Sequence, residues 1–537
     1  MFIETVRIED FKGFHGSNHT FQLKIPDGIT EGSGLNIFVG ENNSGKSTVF
    51  EIFDFIKDGT RKDIADLLNK STPTNPVSAL SVEVTYTGDI TNIINNHIQD
   101  NKVGTFLSSI YIDNGQEKFR VKRSADIDNE GDLKKILFWN EANGSHSNTT
   151  GIDAPFKKLY DNNFIWADTN PSDESKFGAS TICGSLLKEI AAGHISTAEY
   201  QQFTQVYNDI FNNPTSQLRT RIAQIENSVQ NIFSSQFGNA NISFTFEEPQ
   251  IDSFFKTAGI LVDDGVSVPM GEKGHGMQRA VALALLQVYA HITSNASNAP
   301  ILKPFFLFID EPEICLHPSG QTKLLEALML ISKERQVFIT THSPFMLSSP
   351  KLRNAGLFIF NKRNNINSIS RADTSPMFPW SPSWGEISYK AYNLPTVELH
   401  NELYGHLQDL SSSNTIRSFE QWLSQNGIQL NKQWIQERQE VPQRPEQATL
   451  QTFIRNHIHH PENITMRGNI YTRPEGRGDQ TEGCRGFGRP QTKTAAQGLR
   501  FFYWLNLLAP DANRPTALRH GASWSCRRCL PARCPSR

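Results

Sequence analysis

Apolar and polar positions follow three kinds of pattern along this chain. Phe2, Ile3, Val6 and Ile8 come close to strict alternation, which predicts a half-buried strand over residues 1–9, entering Phe11-Lys12-Gly13-Phe14. Leu35–Val39 is a short apolar run that stops at a glycine-containing turn; Val49, Ile52, Phe53 and Ile56 then recur at helical spacing within Ser47–Lys57. That order is strand, loop, helix. A second β/α unit runs from Ile260 to Phe345, with buried strands predicted at Phe305–Ile309 and Gln336–Thr340 and an apolar helix at Ala280–Ala290. Residues 60–165 mix short strands (Leu80–Tyr86, Phe119–Lys122) with Asn/Asp/Gly loops, and residues 183–235 read as amphipathic helix around Leu186–Ile190 and Ile222–Phe233. Residues 395–460 read as mostly helical with polar linkers, notably Glu437–Gln447. No internal repeat and no heptad run long enough for a coiled-coil arm is visible. The class is α/β.

Composition narrows the class. With 537 residues, 37% of them hydrophobic, and 36 glycines, the chain has material for a sizeable core and for two to four domains. No run approaches the roughly 18 apolar residues of a membrane span. The start, MFIETVRIEDF, lacks a basic region followed by an apolar one, so a cytoplasmic protein without a membrane partner is expected. Six cysteines are too few for a disulfide scaffold of this size.

The net charge of −3 averages two unlike parts. Residues 468–537 hold 11 Arg, 1 Lys and 4 acidic residues, a charge of +8, which leaves −11 on residues 1–467. Cys484, Cys526, Cys529 and Cys534 also lie in this tail. One reading is a zinc- or nucleic-acid-binding tail built on Cys526-x-x-Cys529. The other is a frameshifted or read-through extension, non-native or disordered. The cysteine spacing lacks a second paired half, and the switch from Lys to Arg resembles a change of coding frame. No function is assigned to residues 467–537.

The chemistry begins at Gly40-Glu41-Asn42-Asn43-Ser44-Gly45-Lys46-Ser47, followed by Thr48, which fits GxxxxGK[ST] between a strand and a helix. Glycines let the backbone curl so that N–H groups face phosphates, and the helix N-terminus adds positive potential. Lys46 would meet the β- and γ-phosphates, and the Ser47 hydroxyl would bind Mg2+. Asp310 ends a strand apolar on both faces, where a carboxylate can hold Mg2+; Glu311 is placed to deprotonate the attacking water. His342, at the end of Gln336–Thr340, could reach the γ-phosphate. Gly274-His275-Gly276-Met277-Gln278-Arg279 puts glycines before a helix, a second anion site without a lysine.

Taken together, IEDFKGF, GENNSGKS, GHGMQR, FLFIDEPEICLHP and ITTHSP resemble the ABC-type ATPases of the RecF/SMC-like and OLD-like class over about residues 1–55 and 255–362. The resemblance implies an ABC-type P-loop ATPase head in two lobes (1–59 and 255–365), a mixed α/β insertion (60–254) and a mostly α-helical C-terminal region (390–466). It implies ATP and Mg2+ as cofactors, with Asp310 and Ser47 on the metal and Gly40, Asn42, Asn43, Ser44, Gly45, Lys46, Ser47 and Thr48 on the nucleotide. Lys46, Glu311 and His342 would serve hydrolysis. It also implies a homodimer of heads, a higher oligomer being open, in which Gly274, Gly276 and Gln278 of one subunit close on the nucleotide of the other. The signature departs from LSGGQ and fits OLD-like relatives better than transporters. The Q-loop glutamine is not placed.

An OLD-like nuclease would continue into a metal-dependent Toprim domain, but Phe360–His460 holds neither its Glu-Gly nor its Asp-x-Asp, so a DNA-cutting centre of that kind is not expected. Residues 452–463, TFIRNHIHHPEN, instead put an arginine and histidines on an amphipathic helix ended by Pro461. A guanidinium and a histidine can stabilise a phosphorane and move a proton without metal. Arg455-Asn456-x-x-x-His460 resembles the motif of HEPN ribonucleases; His459 and His460 are not separable by spacing, and His457 is read as peripheral. Three outputs stand. One is an antiphage effector whose nucleotide state licenses a C-terminal ribonuclease, with RNA favoured over DNA. Another is a sensor or scaffold for a separately encoded nuclease or toxin. The last is a RecF-like repair ATPase that binds DNA.

Overall fold

The computed structural model describes residues 1–466 other than 18, 60–62, 71–76, 99, 128–134, 149, 168–196, 239–240, 248–258, 295–302, 364, 375 and 439–440. The helix expected around Leu186–Ile190, Cys183 and the whole tail 467–537 lie outside the described residues. Two compact units divide the chain, Met1–Thr396 and Val397–Arg537.

In chain order the strands of the first unit are β1 (Phe2–Glu9), β2 (His19–Gln22), β3 (Leu35–Gly40), β4 (Ala79–Thr87), β5 (Ile110–Asp113), β6 (Gln116–Asp126), β7 (Ile136–Asn140), β8 (Ser145–Ser147) and β9 (Asp161–Ile165). They continue with β10 (Leu261–Asp263), β11 (Ser267–Pro269), β12 (Phe305–Asp310), β13 (Gln336–Thr340), β14 (Gly356–Arg363) and β15 (Ile366–Arg371). One sheet is antiparallel, in the order β2-β1-β4-β6-β7-β8 with β5 on β6. The other runs β15-β14-β3-β13-β12-β9, parallel throughout except for the edge strand β15.

The apolar runs that looked featureless are sorted by face. Phe38, Phe306, Phe308, Phe338, Phe358 and Phe360 point into one core, shared with Val49, Phe50, Ile52, Phe53 and Ile56 of the helix Lys46–Asp58 and with the inner face of the antiparallel sheet. Phe308 and Phe338 stack at 4.6 Å, and Phe53 lies 5.0 and 5.1 Å from them, each such pair adding about 0.5–1.5 kcal/mol beyond its buried area. Leu35, Ile37, Val39, Leu307, Ile309, Val337 and Ile339 alternate with these rings. They pack against Leu325, Leu328 and Met329 of Pro318–Ile331 and against Ile387 and Ala391 of Trp384–Tyr392. A helix on each face of a parallel sheet is what buries a strand on both sides.

Three strands within the expected insertion join the two sheets of this unit. β4 and β6 carry Val82, Val84, Tyr86, Phe119 and Val121, which complete the core under β1, while β9 pairs with β12 at the edge of the parallel sheet. Short, loop-separated strands carry no local sign of the sheet they will join. Farther along, Ala198–Phe211 and Gln217–Phe237 are helices in contact with each other. Among the described residues no helix is long and apolar enough to cross a membrane.

The second unit contains the helices Val397–Leu410, Ile416–Gln425 and Leu450–His459. The polar linker expected around Glu437–Gln447 lies between these helices and carries short strands. Lys432–Trp434 pairs with Glu446–Ala448, and Glu437–Arg438 pairs with Val441–Pro442. Trp434 and Phe453 then form a small core, their rings 6.2 Å apart.

Candidate functional site

Parallel strands bring their carboxyl ends to one edge, and here that edge holds the site. Register pairs Asp310 of β12 with Thr340 of β13, and Thr340 with Phe38 of β3, two residues before Gly40. The loop that follows β3 needs its glycines for room and for backbone angle. Gly40, at φ +156°, lies where an added Cβ would meet the Phe360 carbonyl oxygen at 2.2 Å. Gly45, at φ +98°, precedes the helix Lys46–Asp58, and a Cβ there would meet Asn367 Nδ2 at 2.4 Å. Asn42 and Asn43 are exposed on the loop, Asn43 at φ +62°, and Ser44 is buried beneath it.

Lys46 Nζ donates to the carbonyl oxygens of Gly40 at 3.1 Å and Glu41 at 3.0 Å, which holds the ammonium over its own loop. Burial lowers the Lys46 pKa, and Glu311, Asp310 and Glu313 act against that shift. Ser47 Oγ lies 3.1 and 3.2 Å from the two Asp310 carboxylate oxygens. A hydroxyl and a carboxylate together match the oxygen donors that Mg2+ takes from a protein before phosphates complete its shell, so these residues fit the ion. Thr340 Oγ1 donates to Asp310 Oδ1 at 2.5 Å and accepts from the Glu311 amide at 3.0 Å.

Glu311 sits at φ +47° just beyond β12, and its Oε1 is 3.7 Å from His342 Nε2. Burial raises the Glu311 pKa, helped by Asp310 and Glu313, which makes the carboxylate a stronger base. Burial and then Lys46 lower His342 to about 4, so the imidazole is neutral at physiological pH. Glu313 Oε1 accepts from Thr341 Oγ1 at 2.8 Å and from the His342 amide at 2.7 Å, tying the two loops together.

The second glycine segment is arranged differently from a loop. Gly276 and Gln278 lie within the first turn of the helix His275–Ser294, and Gly274 directly precedes it. The Gln278 side chain is buried and donates to the carbonyls of Lys273 at 2.6 Å and Gly271 at 3.2 Å, so it fixes the approach to the helix. The Met277 and Gln278 amides donate to the Gly274 carbonyl at 2.9 and 3.2 Å, which leaves the His275 and Gly276 N–H groups of the first turn to meet an anion.

Sequence reasoning missed Thr340 and Glu313 as site residues, along with the wall of the adjoining cleft. That cleft, of about 640 Å3, is lined by Gly45, Lys46, Ser47 and Thr48 on one side and Lys12, Asn69, Lys70, Lys362, Asn365 and Asn367 on the other. The signal for Lys12 was present in Phe-Lys-Gly-Phe. Lys12 forms an ion pair with Glu51, and the Asn367 amide donates to the Gly13 carbonyl at 2.8 Å. No local pattern marked Asn367, which arrives on β15.

In the second unit Thr449 caps the helix Leu450–His459, and the buried Glu420 carboxylate accepts from the Thr449 amide at 2.7 Å and its hydroxyl at 2.6 Å. Arg455 donates to Asn456 Oδ1 at 3.1 Å. His460 is the C-cap, exposed, with Nδ1 3.1 Å from the Glu462 carboxylate. His457, read as peripheral, is half-buried, with its ring 4.3 Å from Phe453 and 5.0 Å from Trp434.

Residues 85–347 match the family AAA_15, described as an AAA ATPase domain; the stretch contains Asp310, Glu311 and His342 and begins after the Gly40–Ser47 loop. The Old nuclease of Escherichia phage P2 is 28% identical over 329 residues, 59% of this chain and 54% of that protein. An uncharacterised protein of Methanocaldococcus jannaschii is 28% identical over 117 residues, 22% of this chain and 27% of its own length. The aligned stretches thus span about half of the phage protein and about a quarter of the archaeal one. Similar solved structures include an SmcHead bound to the C-winged helix domain of ScpA, with 16% identity, 69% of this chain and 97% of that one covered, and a TM-score of 0.41. Another is the SMC head domain from Thermotoga maritima, with 14% identity, coverage of 69% and 99%, and a TM-score of 0.33. The site geometry and the family match support an α/β fold of the P-loop ATPase type.

Proposed function

We propose that this chain binds ATP with Mg2+ and hydrolyses it, and that its nucleotide state controls a ribonuclease carried by the second unit in antiviral defence. The observation that carries the hydrolase reading is the convergence of Ser47, Asp310, Thr340, Glu311 and His342 at one sheet edge. Bound Mg2+, held by Ser47 Oγ and the Asp310 carboxylate, would neutralise charge on the phosphates. Glu311 takes a proton from water as the new oxygen–phosphorus bond forms and the bond to the β-phosphate oxygen breaks, releasing ADP and phosphate. Neutral His342 donates to the γ-phosphate, and Lys46 balances the charge that develops there.

Two heads would close on two ATP molecules, each offering the helix start at Gly274–Gln278 to the other's nucleotide. Gly274 leaves open space before the helix, Gly276 lets the turn lie against the Cys315 carbonyl, and Gln278 holds the turn in shape. The nuclease named in the phage relative supports an output on nucleic acid, and Arg455 with a nearby histidine supplies the chemistry for RNA. The 2′-oxygen attacks the adjacent phosphorus, the bond to the 5′-oxygen breaks, and protons pass from the 2′-hydroxyl and to the leaving oxygen. Hydrolysis is tested by phosphate release from wild type, Lys46→Ala and Glu311→Gln, and the reading fails where both variants turn over normally. RNA integrity in cells expressing Arg455→Ala against wild type tests the output. Toxicity that persists in Arg455→Ala would move the output to a separately encoded nuclease or toxin.

A further inference from the structure

We infer that Arg455, His459 and His400 form a site for the phosphodiester backbone of single-stranded RNA, an inference that rests on the ribonuclease reading and moves its histidine role from His460 to His459 and His400. The site is built between the helices Val397–Leu410 and Leu450–His459. Tyr404 OH and Thr452 Oγ1, 2.9 Å apart, fix the two helices in register. About one turn beyond Thr452, the Arg455 guanidinium lies 5.9 Å from the centre of the Tyr404 ring. About one turn before Tyr404, the His400 ring lies 6.1 Å from that same ring, inclined by 26°. The tyrosine thus carries a guanidinium and an imidazole on its margin, and His459, four residues after Arg455, continues the row on the same helix face.

The charge of this group is unbalanced. Among the described residues Arg455 has no carboxylate partner; its hydrogen bond goes to the neutral Asn456 side chain. The charged groups acting on His400 are His459 and Arg455, and those acting on His459 are Arg455 and His460. The Arg455 guanidinium, with the nearby Glu420 carboxylate already taken up by the Thr449 and Thr452 hydroxyls, is a place for an anion. His460, by contrast, already faces Glu462.

His400 plays a different part from the other two. Burial lowers it to about 4, so it is a neutral ring that can accept a hydrogen bond from a 2′-hydroxyl. Gln451, one turn before Arg455, is buried with Oε1 lacking a hydrogen-bond partner and adds a second acceptor on that side. A phosphate on Arg455 and His459 beside an acceptor for the 2′-hydroxyl distinguishes RNA from DNA.

The test is fluorescence anisotropy of the full chain with a labelled ten-nucleotide single-stranded RNA and the DNA of the same sequence, with ATP and Mg2+ present. Wild type is expected to bind the RNA more tightly than the DNA by threefold or more. Arg455→Ala and His459→Gln should each weaken RNA binding at least tenfold, His400→Gln should erase the preference over DNA, and His460→Gln should stay within twofold. No RNA binding by wild type, equal binding of RNA and DNA, or wild-type binding by Arg455→Ala and His459→Gln overturns the site. Because His459 is exposed, its substitution decides the matter even where His400→Gln fails to fold. RNA cleavage followed in the same reactions separates the two ideas. Binding lost as expected, with no cleavage by wild type, keeps the site and removes the ribonuclease reading; cleavage that depends on Arg455 and His460 but not His459 or His400 does the reverse.

Discussion

Replacing Gly45 with alanine tests how the phosphate loop is held, because two separable costs meet at one atom. The first is backbone. At φ +98° an alanine sits in a region that costs an L-residue roughly 1–2 kcal/mol. The second is contact. The new Cβ would lie 2.4 Å from Asn367 Nδ2 and 3.1 Å from Phe14 Cζ, an overpacking that costs about 1–3 kcal/mol. Gly45→Ala should therefore destabilise the loop by about 2–5 kcal/mol, where every 1.4 kcal/mol is tenfold in an equilibrium. Asn367→Ala should restore most of the contact share and none of the backbone share. Asn367 Oδ1 is buried without a hydrogen-bond partner, so its removal alone should cost little. The assay is a double-mutant cycle read in chemical denaturation and in the affinity for a fluorescent ATP analogue. The expected coupling is about 1–3 kcal/mol in favour of the double variant. Additive costs, with no rescue, would refute the reasoning that Asn367 is the obstacle.

Glu311→Gln should retain nucleotide binding and lose turnover by roughly 10²–10⁴-fold, measured by phosphate release alongside equilibrium binding. Gly276→Ala would place a Cβ 2.7 Å from the Cys315 carbonyl oxygen, so it should cost about 1–3 kcal/mol and lower the thermal midpoint, as followed by scanning calorimetry. Arg123 is fully buried, donating to the Ile56 and Lys57 carbonyls and to Asp153 at 2.7 Å; Arg123→Met should cost about 1–3 kcal/mol in denaturation by leaving those buried carbonyls without their donor. For pH, His342 titrates near 4 in the folded chain and near 6.5 unfolded, so between those values the unfolded chain binds more protons. This residue's contribution should weaken stability as pH falls through that window and change nothing above it. His342→Gln should flatten the pH dependence of the thermal midpoint there, and an unchanged slope would count against a neutral, buried imidazole.

Much of the head was legible because its signals are local. A glycine loop between an apolar run and a helix, or a carboxylate closing a buried strand, occupies a few consecutive residues whose chemistry demands that order. The helix Lys46–Asp58 follows the spacing of Val49, Ile52, Phe53 and Ile56 within a residue of the expected ends. Folding supplied what depends on strands far apart in the chain. Thr340 serves Asp310 through the β12–β13 register, Glu313 binds the turn at His342, and Asn367 reaches Gly13 and Gly45 on β15. β4 joined these sheets by pairing with β1, β6 by pairing with β4, and β9 by pairing with β12. A strand buried on both faces has no polar side to reveal its register, and inter-strand hydrogen bonds are the same for every sequence. The motifs therefore named the chemistry, and the alignment of the strands chose the side chains that hold it in place.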